Sequence, residues 1–214
     1  MPLAKTQLAD LYRRRAAHYD ISANLYYLIG FREYAYRKKA VAALNLSPGD
    51  TIVELGCGTG LNFPLLQEAV GPQGKIIGVD ITQEMLLQAK KRVERSGWRN
   101  VDLIHSDANG FAFPQGIGGV ISTFALTLAP EYDAIIKRAA DSLSPGRRFV
   151  VLDLKLPDRL PDWIIRFGVA ISRPFGVTLD LAERHPWENI ERYLTKVAYK
   201  EYFLGFTYIS VGER

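Results

Sequence analysis

The residues of this chain with the clearest chemical potential are Glu54, Gly56, Gly58 and Gly60, within Val53-Glu54-Leu55-Gly56-Cys57-Gly58-Thr59-Gly60, together with Asp80. Three glycines in five residues let a backbone turn sharply and approach a ligand closely, because no Cβ stands in the way. Exposed N–H groups at the start of a following helix favour a carboxylate or a phosphate. Asp80 stands twenty residues beyond Gly60, at the end of Lys75-Ile76-Ile77-Gly78-Val79-Asp80. A carboxylate there is placed to accept hydrogen bonds from both hydroxyls of a nucleoside ribose.

Spacing separates two kinds of nucleotide loop. A dinucleotide fingerprint is G-x-G-x-x-G, whereas this stretch is G-x-G-x-G with an acid two residues ahead. That pattern, followed by Asp80, closely resembles the first motif and ribose acid of class I S-adenosylmethionine (SAM) methyltransferases. The resemblance is specific over residues 45–155 and looser in the flanks. It implies SAM as cofactor and assigns roles by motif position. Glu54 and Cys57 count among the cofactor-binding residues, Glu54 leading the loop and Cys57 a small residue within it, and Gly56, Gly58 and Gly60 line the amino-acid part of SAM. Ile81 and Met85 face the adenine, Asp107 accepts from its amino group with Ala108 alongside, and Ser122 and Phe124 flank the sulfonium. Asn62 is expected to reach the carboxylate end, and Tyr19 to lie over the cofactor.

The elements that must hold these residues alternate. Asp50-Thr51-Ile52-Val53 reads as a buried strand, and Leu61, Leu65, Leu66 and Ala69 recur at helical spacing. Thr82 can cap a helix bearing Met85, Leu86, Ala89 and Val93, with Gly97 closing it. Strands are expected at 101–105, 119–124 and 148–153. Pro130 suits the first turn of a helix carrying Tyr132, Ile135, Ile136, Ala139, Ala140 and Leu143. Such alternation implies right-handed crossovers and a largely parallel sheet covered on both faces. Two further strand-like runs, 197–204 and 206–211, split at Gly205, predict an antiparallel hairpin that puts a reversed strand at the sheet edge. With the resemblance, this is an α/β, Rossmann-like, seven-stranded, mostly parallel sheet with a C-terminal antiparallel hairpin. It divides into an N-terminal helical cap (1–46), a SAM-binding core (47–155), a substrate-side insertion and helix (156–195) and a closing hairpin (196–214).

Leu8, Leu11, Tyr12, Ala16 and Tyr19 form one apolar helical stripe opposed by Arg13 and Arg14, and a second helical pattern runs from Phe31 to Ala42. The His18-Tyr19-Asp20 phrase resembles the N-terminal region of quinone C-methyltransferases and bacterial phospholipid N-methyltransferases. Residues 160–172 are apolar nearly all round. At thirteen residues this stretch is too short to cross a bilayer, which takes about twenty. It suits a membrane interface, a cover over a hydrophobic substrate, or packing under the N-terminal helices.

The chain's 214 residues are most simply one domain, and 48% hydrophobic with 23% charged residues is ordinary for a soluble globular protein. A single Cys excludes an internal disulfide, no secretory leader is evident, and a cytoplasmic location is the default. The net charge of +4 is concentrated before the first strand, in Arg13, Arg14, Arg15, Arg32, Arg37, Lys38 and Lys39, and favours an anionic membrane surface or acceptor.

Methyl transfer from a sulfonium needs mainly position and dryness, so a sparse catalytic inventory is expected. No spaced His/carboxylate cluster implies a metal. Of three histidines, His105 reads as structural, while His18 and His185, with Tyr19, are the acid–base candidates. The fourth strand ends Ser122-Thr123-Phe124-Ala125 rather than in an Asn/Asp-Pro-Pro-aromatic motif, so nucleic acid is not expected as a substrate. The expected acceptor is hydrophobic or amphipathic. Few bases and the resemblance of residues 202–209 to the hairpin of phosphatidylethanolamine N-methyltransferases favour a phospholipid head-group amine, with contact at the inner face of the membrane. The alternatives are C-methylation of a quinone precursor, a small soluble acceptor, or a SAM-binding membrane-surface module without turnover.

Overall fold

The computed structural model describes residues 5–16, 30–157, 160–172 and 183–214. His18, Tyr19, Tyr26 and Tyr27 lie outside them. The elements run α1 (Lys5–Arg15), α2 (Glu33–Ala43), β1 (Thr51–Leu55), α3 (Phe63–Val70), β2 (Lys75–Asp80), α4 (Gln83–Ser96), β3 (Val101–His105), β4 (Ile117–Thr123) and α5 (Tyr132–Ser142). There follow β5 (Leu143–Leu154), α6 (Asp162–Ser172), α7 (Pro186–Tyr193), β6 (Thr195–Tyr202) and β7 (Thr207–Glu213). A short 3-10 turn occupies Leu126–Leu128, and a turn of positive φ joins β6 to β7 at Phe203–Gly205.

The seven strands form one sheet in the order β3-β2-β1-β4-β5-β7-β6. The first five are parallel, and β7 runs antiparallel to both β5 and β6. The reversed strand is therefore inset. β6, not β7, forms the edge, which corrects the expectation that the hairpin would place a reversed strand outermost.

Strand parity divides the core. Ile52, Ile76, Ile121, Val150, Leu152, Ile209 and Val211 point to one face, where α2, α3 and α4 cover them. Val53, Leu55, Ile77, Val79, Val120, Phe149, Val151 and Tyr208 point to the other, under α5 and α7. The period-2 alternation delivers each strand's apolar residues to both layers, which is why these strands read as unbroken hydrophobic runs. Ile190 of α7 is fully buried in the second layer, so this helix belongs to the main body although its sequence position groups it with the insertion.

Gly97 ends α4 in the left-handed conformation (φ 68°), as its position required. Thr82 occupies the N-cap of that helix, but its side chain makes no cap hydrogen bond. Pro130 falls outside α5, which starts at Tyr132, and β5 begins at Leu143, five residues before the expected strand at 148–153 and at a residue expected to belong to the helix. At the other end of the sheet, Phe203, Leu204 and Gly205 all adopt positive φ. For a residue with a side chain this costs about 1–2 kcal/mol, and the result is a leucine left 72% exposed at Leu204. α6 meets the following residue: a Cβ on Gly168 would come within 2.6 Å of the Phe206 ring, so only glycine permits this approach.

Candidate functional site

The strand order reverses between β1 and β4, and ligands of open α/β sheets bind outside the strand ends at such a point. A cavity opens there, lined by residues following β1 (Gly56 to Thr59), β2 (Asp80 to Thr82), β3 (Ser106 to Ala108) and β4 (Thr123 to Leu126). Its empty space is about 1020 Å³ including the open mouth.

The loop after β1 is tied to β2. Gly56 and Cys57 donate their N–H groups to the Val79 carbonyl at 2.8 and 3.0 Å. Asp80 accepts from the Gly58 N–H and from the Thr82 N–H, each at 2.8 Å. Burial nevertheless outweighs these bonds and raises the Asp80 carboxyl above its ordinary range. The three glycines have different duties. A Cβ on Gly56 would strike Ala125 at 2.3 Å, and one on Gly60 would strike Phe63 at 2.5 Å. Gly58, at φ 54°, would meet nothing within 4 Å, so its missing side chain leaves the cavity open. Gly56 and Gly58 line the cavity; Gly60 does not, and serves packing instead.

Of the remaining expected contacts, Cys57, Asp80, Ile81, Met85, Asp107, Ala108, Ser122 and Phe124 all line the cavity. Cys57 is buried, and burial pushes its thiol well above the ordinary range, so it is a small filler and not a nucleophile. Asp107 is shaped by the Asn109 N–H at 2.9 Å, and Ser122 donates to the Leu55 carbonyl at 3.1 Å. His105 meets the Ile81 carbonyl through Nε2 at 2.9 Å, the structural role its position suggested. Phe124 has positive φ (56°), an uncommon conformation for an aromatic, and its N–H donates to Leu152 at 2.8 Å.

Three expectations are corrected. His185 does not line the cavity: its ring packs at a tilt against Trp187, and Nδ1 lies 3.1 Å from the Glu188 carboxylate. Asn62 is fully buried, and its amide donates to Glu54 at 2.6 Å and to Thr123 at 2.9 Å, so it cannot reach a ligand carboxylate. The start of α3 is also a poor anion site. Phe63 gives its N–H to Gly60 at 3.1 Å, and the next residue, Pro64, has none.

Glu54 sits behind the loop rather than on the cavity wall, 1% exposed, with Oε2 unpartnered. Burial raises its carboxyl from the ordinary 4.5 to about 8, against the pull of Arg37. Asp153, buried at the end of β5, accepts the Thr127 N–H at 2.9 Å and so holds the 3-10 turn that walls the cavity after β4. Its carboxyl is raised by burial to about 6.

Sequence reading missed Tyr12 and Arg37, which line the cavity from α1 and α2. Arg37 had counted among the surface basic residues, yet it is 6% exposed. Only its place on the apolar face of α2, beside Tyr36, Ala40 and Val41, could have shown that it turns inward.

The residues present fit SAM. There is an open glycine cradle at Gly58, a buried acid at the ribose position, and apolar Ile81 and Met85 beside an acid at the adenine position. Residues 52–146 match the family model described as a methyltransferase domain. The chain is similar to a demethylmenaquinone methyltransferase of Bacillus cereus, with 28% identity over 69% of this chain and 62% of that one. A second, from Geobacillus stearothermophilus, shows 32% identity over 66% and 60% of the respective chains. The chain thus spans about three fifths of the length of these curated relatives. In fold it resembles a SAM-dependent methyltransferase from Aquifex aeolicus, with a TM-score of 0.62 at 20% identity, covering 82% of this chain and 88% of that one.

Proposed function

From a chain that belongs to the class I SAM-dependent methyltransferases, we propose an enzyme that transfers the SAM methyl group to a ring carbon of an apolar, quinone-type acceptor. SAM supplies the methyl group as a sulfonium that carries its own leaving group. The protein's part is to hold donor and acceptor in line and keep water out, and the ring carbon releases to solvent the proton that the methyl group replaces.

One observation carries the choice of acceptor. Past Phe124 the cavity wall is Ala125, Leu126, Leu128, Ala129 and Pro130, all apolar, while the lining carboxylates, Asp80 and Asp107, stand at the opposite end. An acceptor entering beside Phe124 meets carbon surface, and among the described lining residues no carboxylate there awaits an ammonium. This suits a planar apolar ring better than a phospholipid head-group amine, the acceptor favoured by sequence. The demethylmenaquinone methyltransferases similar to this chain support the same reading. A head-group amine is the second reading. What favours it is the exposure of Trp163 and Leu204, 71% and 72%, on elements that meet at Gly168 and Phe206, as befits contact with lipid.

The test is transfer of labelled methyl from SAM in mixed vesicles containing demethylmenaquinone, kept reduced to its quinol, and phosphatidylethanolamine. Label in the quinone is the expected result. Label in the phospholipid alone overturns the ring reading but keeps the enzyme class. With label in neither, while SAM still binds, the hydrophobic acceptor gives way to a soluble one.

A further inference from the structure

We propose that a row of phenylalanine rings leading away from Phe124 binds the aliphatic tail of a long-chain acceptor. The inference rests on the reading of the acceptor as an apolar ring.

The row joins distant parts of the chain. Phe124 lines the cavity at the end of β4. Its ring centre lies 5.8 Å from that of Phe31, just ahead of α2, and Phe31 lies 5.3 Å from Phe203 in the β6–β7 turn. Phe203 continues to Phe206 at 6.2 Å, and α6 seats Gly168 against this last ring. β7 begins opposite the end of β5, Thr207 beside Leu154, so the rings follow the same edge of the sheet as the cavity. None of the four rings carries a polar atom. The row therefore offers continuous carbon surface to an apolar chain.

Its two ends decide against a role in packing alone. A cluster that merely filled space would close on itself in the core, whereas this one starts at a cavity wall and finishes beside Leu204, 72% exposed. The backbone is strained to reach that arrangement: Phe203 has φ 50° and Leu204 φ 56°, where Asn, Asp or Gly is the ordinary occupant. At Leu204 the strain gains no burial, and strain of this kind gathers where a ligand is held. The turn sets Phe203 into the row and holds a leucine outward at its mouth.

Charge points to where such a tail comes from. Lys39 and Lys200, both exposed, lie 4.7 and 5.7 Å from the centre of the Tyr202 ring, immediately before the turn. A cationic rim beside an apolar mouth suits the surface of an anionic bilayer. An acceptor held in this way keeps its tail towards the lipid while its ring reaches Phe124.

Initial rates in water, without vesicles or detergent, separate tail binding from delivery by a membrane. Two acceptors share one ring: naphthoquinol without a tail, and the same quinol carrying a geranyl chain, both kept reduced. Wild-type protein should show a kcat/KM about tenfold or more higher for the geranyl compound, the effect of burying about two methylene groups. Phe203→Asn removes one ring from the row, and Asn tolerates the positive φ of the turn. It should cut that preference to about threefold or less through a raised KM, and change the rate on the tailless quinol by less than about twofold. Phe203→Leu, apolar again, should restore most of the preference. Should Phe203→Asn fail to fold, Phe203→His takes its place, with selective loss of the tailed quinol still expected. A wild type with equal kcat/KM for the two quinols overturns the proposal and leaves the ring acceptor standing. Equal losses for both quinols in Phe203→Asn would make the row a structural support and overturn it as well. Methylation of neither quinol, with SAM bound, would instead defeat the reading of the acceptor, and the tail site with it.

Discussion

Asp80 accepts the Gly58 N–H at 2.8 Å, so the acid at the end of β2 holds the glycine loop at the end of β1 before any ligand arrives. The residue expected to receive a ribose also sets the shape of the loop expected to line the amino-acid part of SAM. Replacing Asp80 with Ala should therefore weaken SAM by about 1.5–3 kcal/mol, the range for hydrogen bonds to charged groups, with any loosening of the loop added to that. Calorimetry with SAM, S-adenosylhomocysteine and NAD checks it. Tight NAD binding with indifference to SAM would end the methyltransferase reading.

The glycines should separate by phenotype. Gly58→Val places its side chain in open cavity, so cofactor binding should be lost, while thermal stability falls only by the cost of positive φ in a side-chain residue, about 1–2 kcal/mol. Gly56→Ala meets Ala125 at 2.3 Å and should destabilise the fold itself. Melting curves beside binding isotherms distinguish the two. An unchanged SAM affinity in Gly58→Val would mean that the glycine serves only the turn.

Glu54 predicts how stability varies with pH. Its carboxyl is raised from 4.5 to about 8, so across that interval the folded protein holds a proton that the unfolded chain has released. Stability then falls as pH rises through the interval, because the folded state binds more protons than the unfolded state. In the ligand-free protein, Tm should drop between about pH 5 and about pH 8, and Glu54→Gln should flatten that slope. A variant that keeps the wild-type slope would place its origin elsewhere, Asp153 being the next candidate.

Membrane contact should be weaker than the basic composition suggests. Arg37 is buried, and Arg13 is paired with Asp10 at 2.8 Å and with Glu84 at 3.3 Å. Each remaining Lys or Arg near an anionic leaflet contributes about 1 kcal/mol, and Trp163 and Leu204 supply apolar insertion. Sedimentation with anionic vesicles at low salt should carry the protein down. Added salt, Trp163→Asp with Leu204→Asp, or Glu at positions 13, 14 and 15 should each release it. Protein that stays in the supernatant at low salt would favour a soluble acceptor.

Much of this site was legible because its signals are local. Gly56 and Gly58, the acid at Asp80 and Phe124 at a strand end each follow from the rhythm of strand and helix around them. Asn62 and Arg37 were misread for the opposite reason. Their roles depend on partners far along the chain, Thr123 lying 61 residues from Asn62 and 86 from Arg37, and no short-range pattern announces a contact of that span. The hairpin was legible as a hairpin. Which of its strands would pair with β5 was not, since both read only as strand-like runs.

The inset position of β7 bears on how the chain is made. Because β7 follows every other strand in the chain yet lies between β5 and β6, the growing polypeptide carries an unpaired β5 edge and an unattached β6 until residues 207–213 are available. An exposed edge of buried, apolar character is a template for pairing with other chains, and unfinished sheets aggregate in this way. A truncation that removes β7 would thus cost the sheet two strands at once, and its product should collect in inclusion bodies rather than persist as a slightly smaller folded protein.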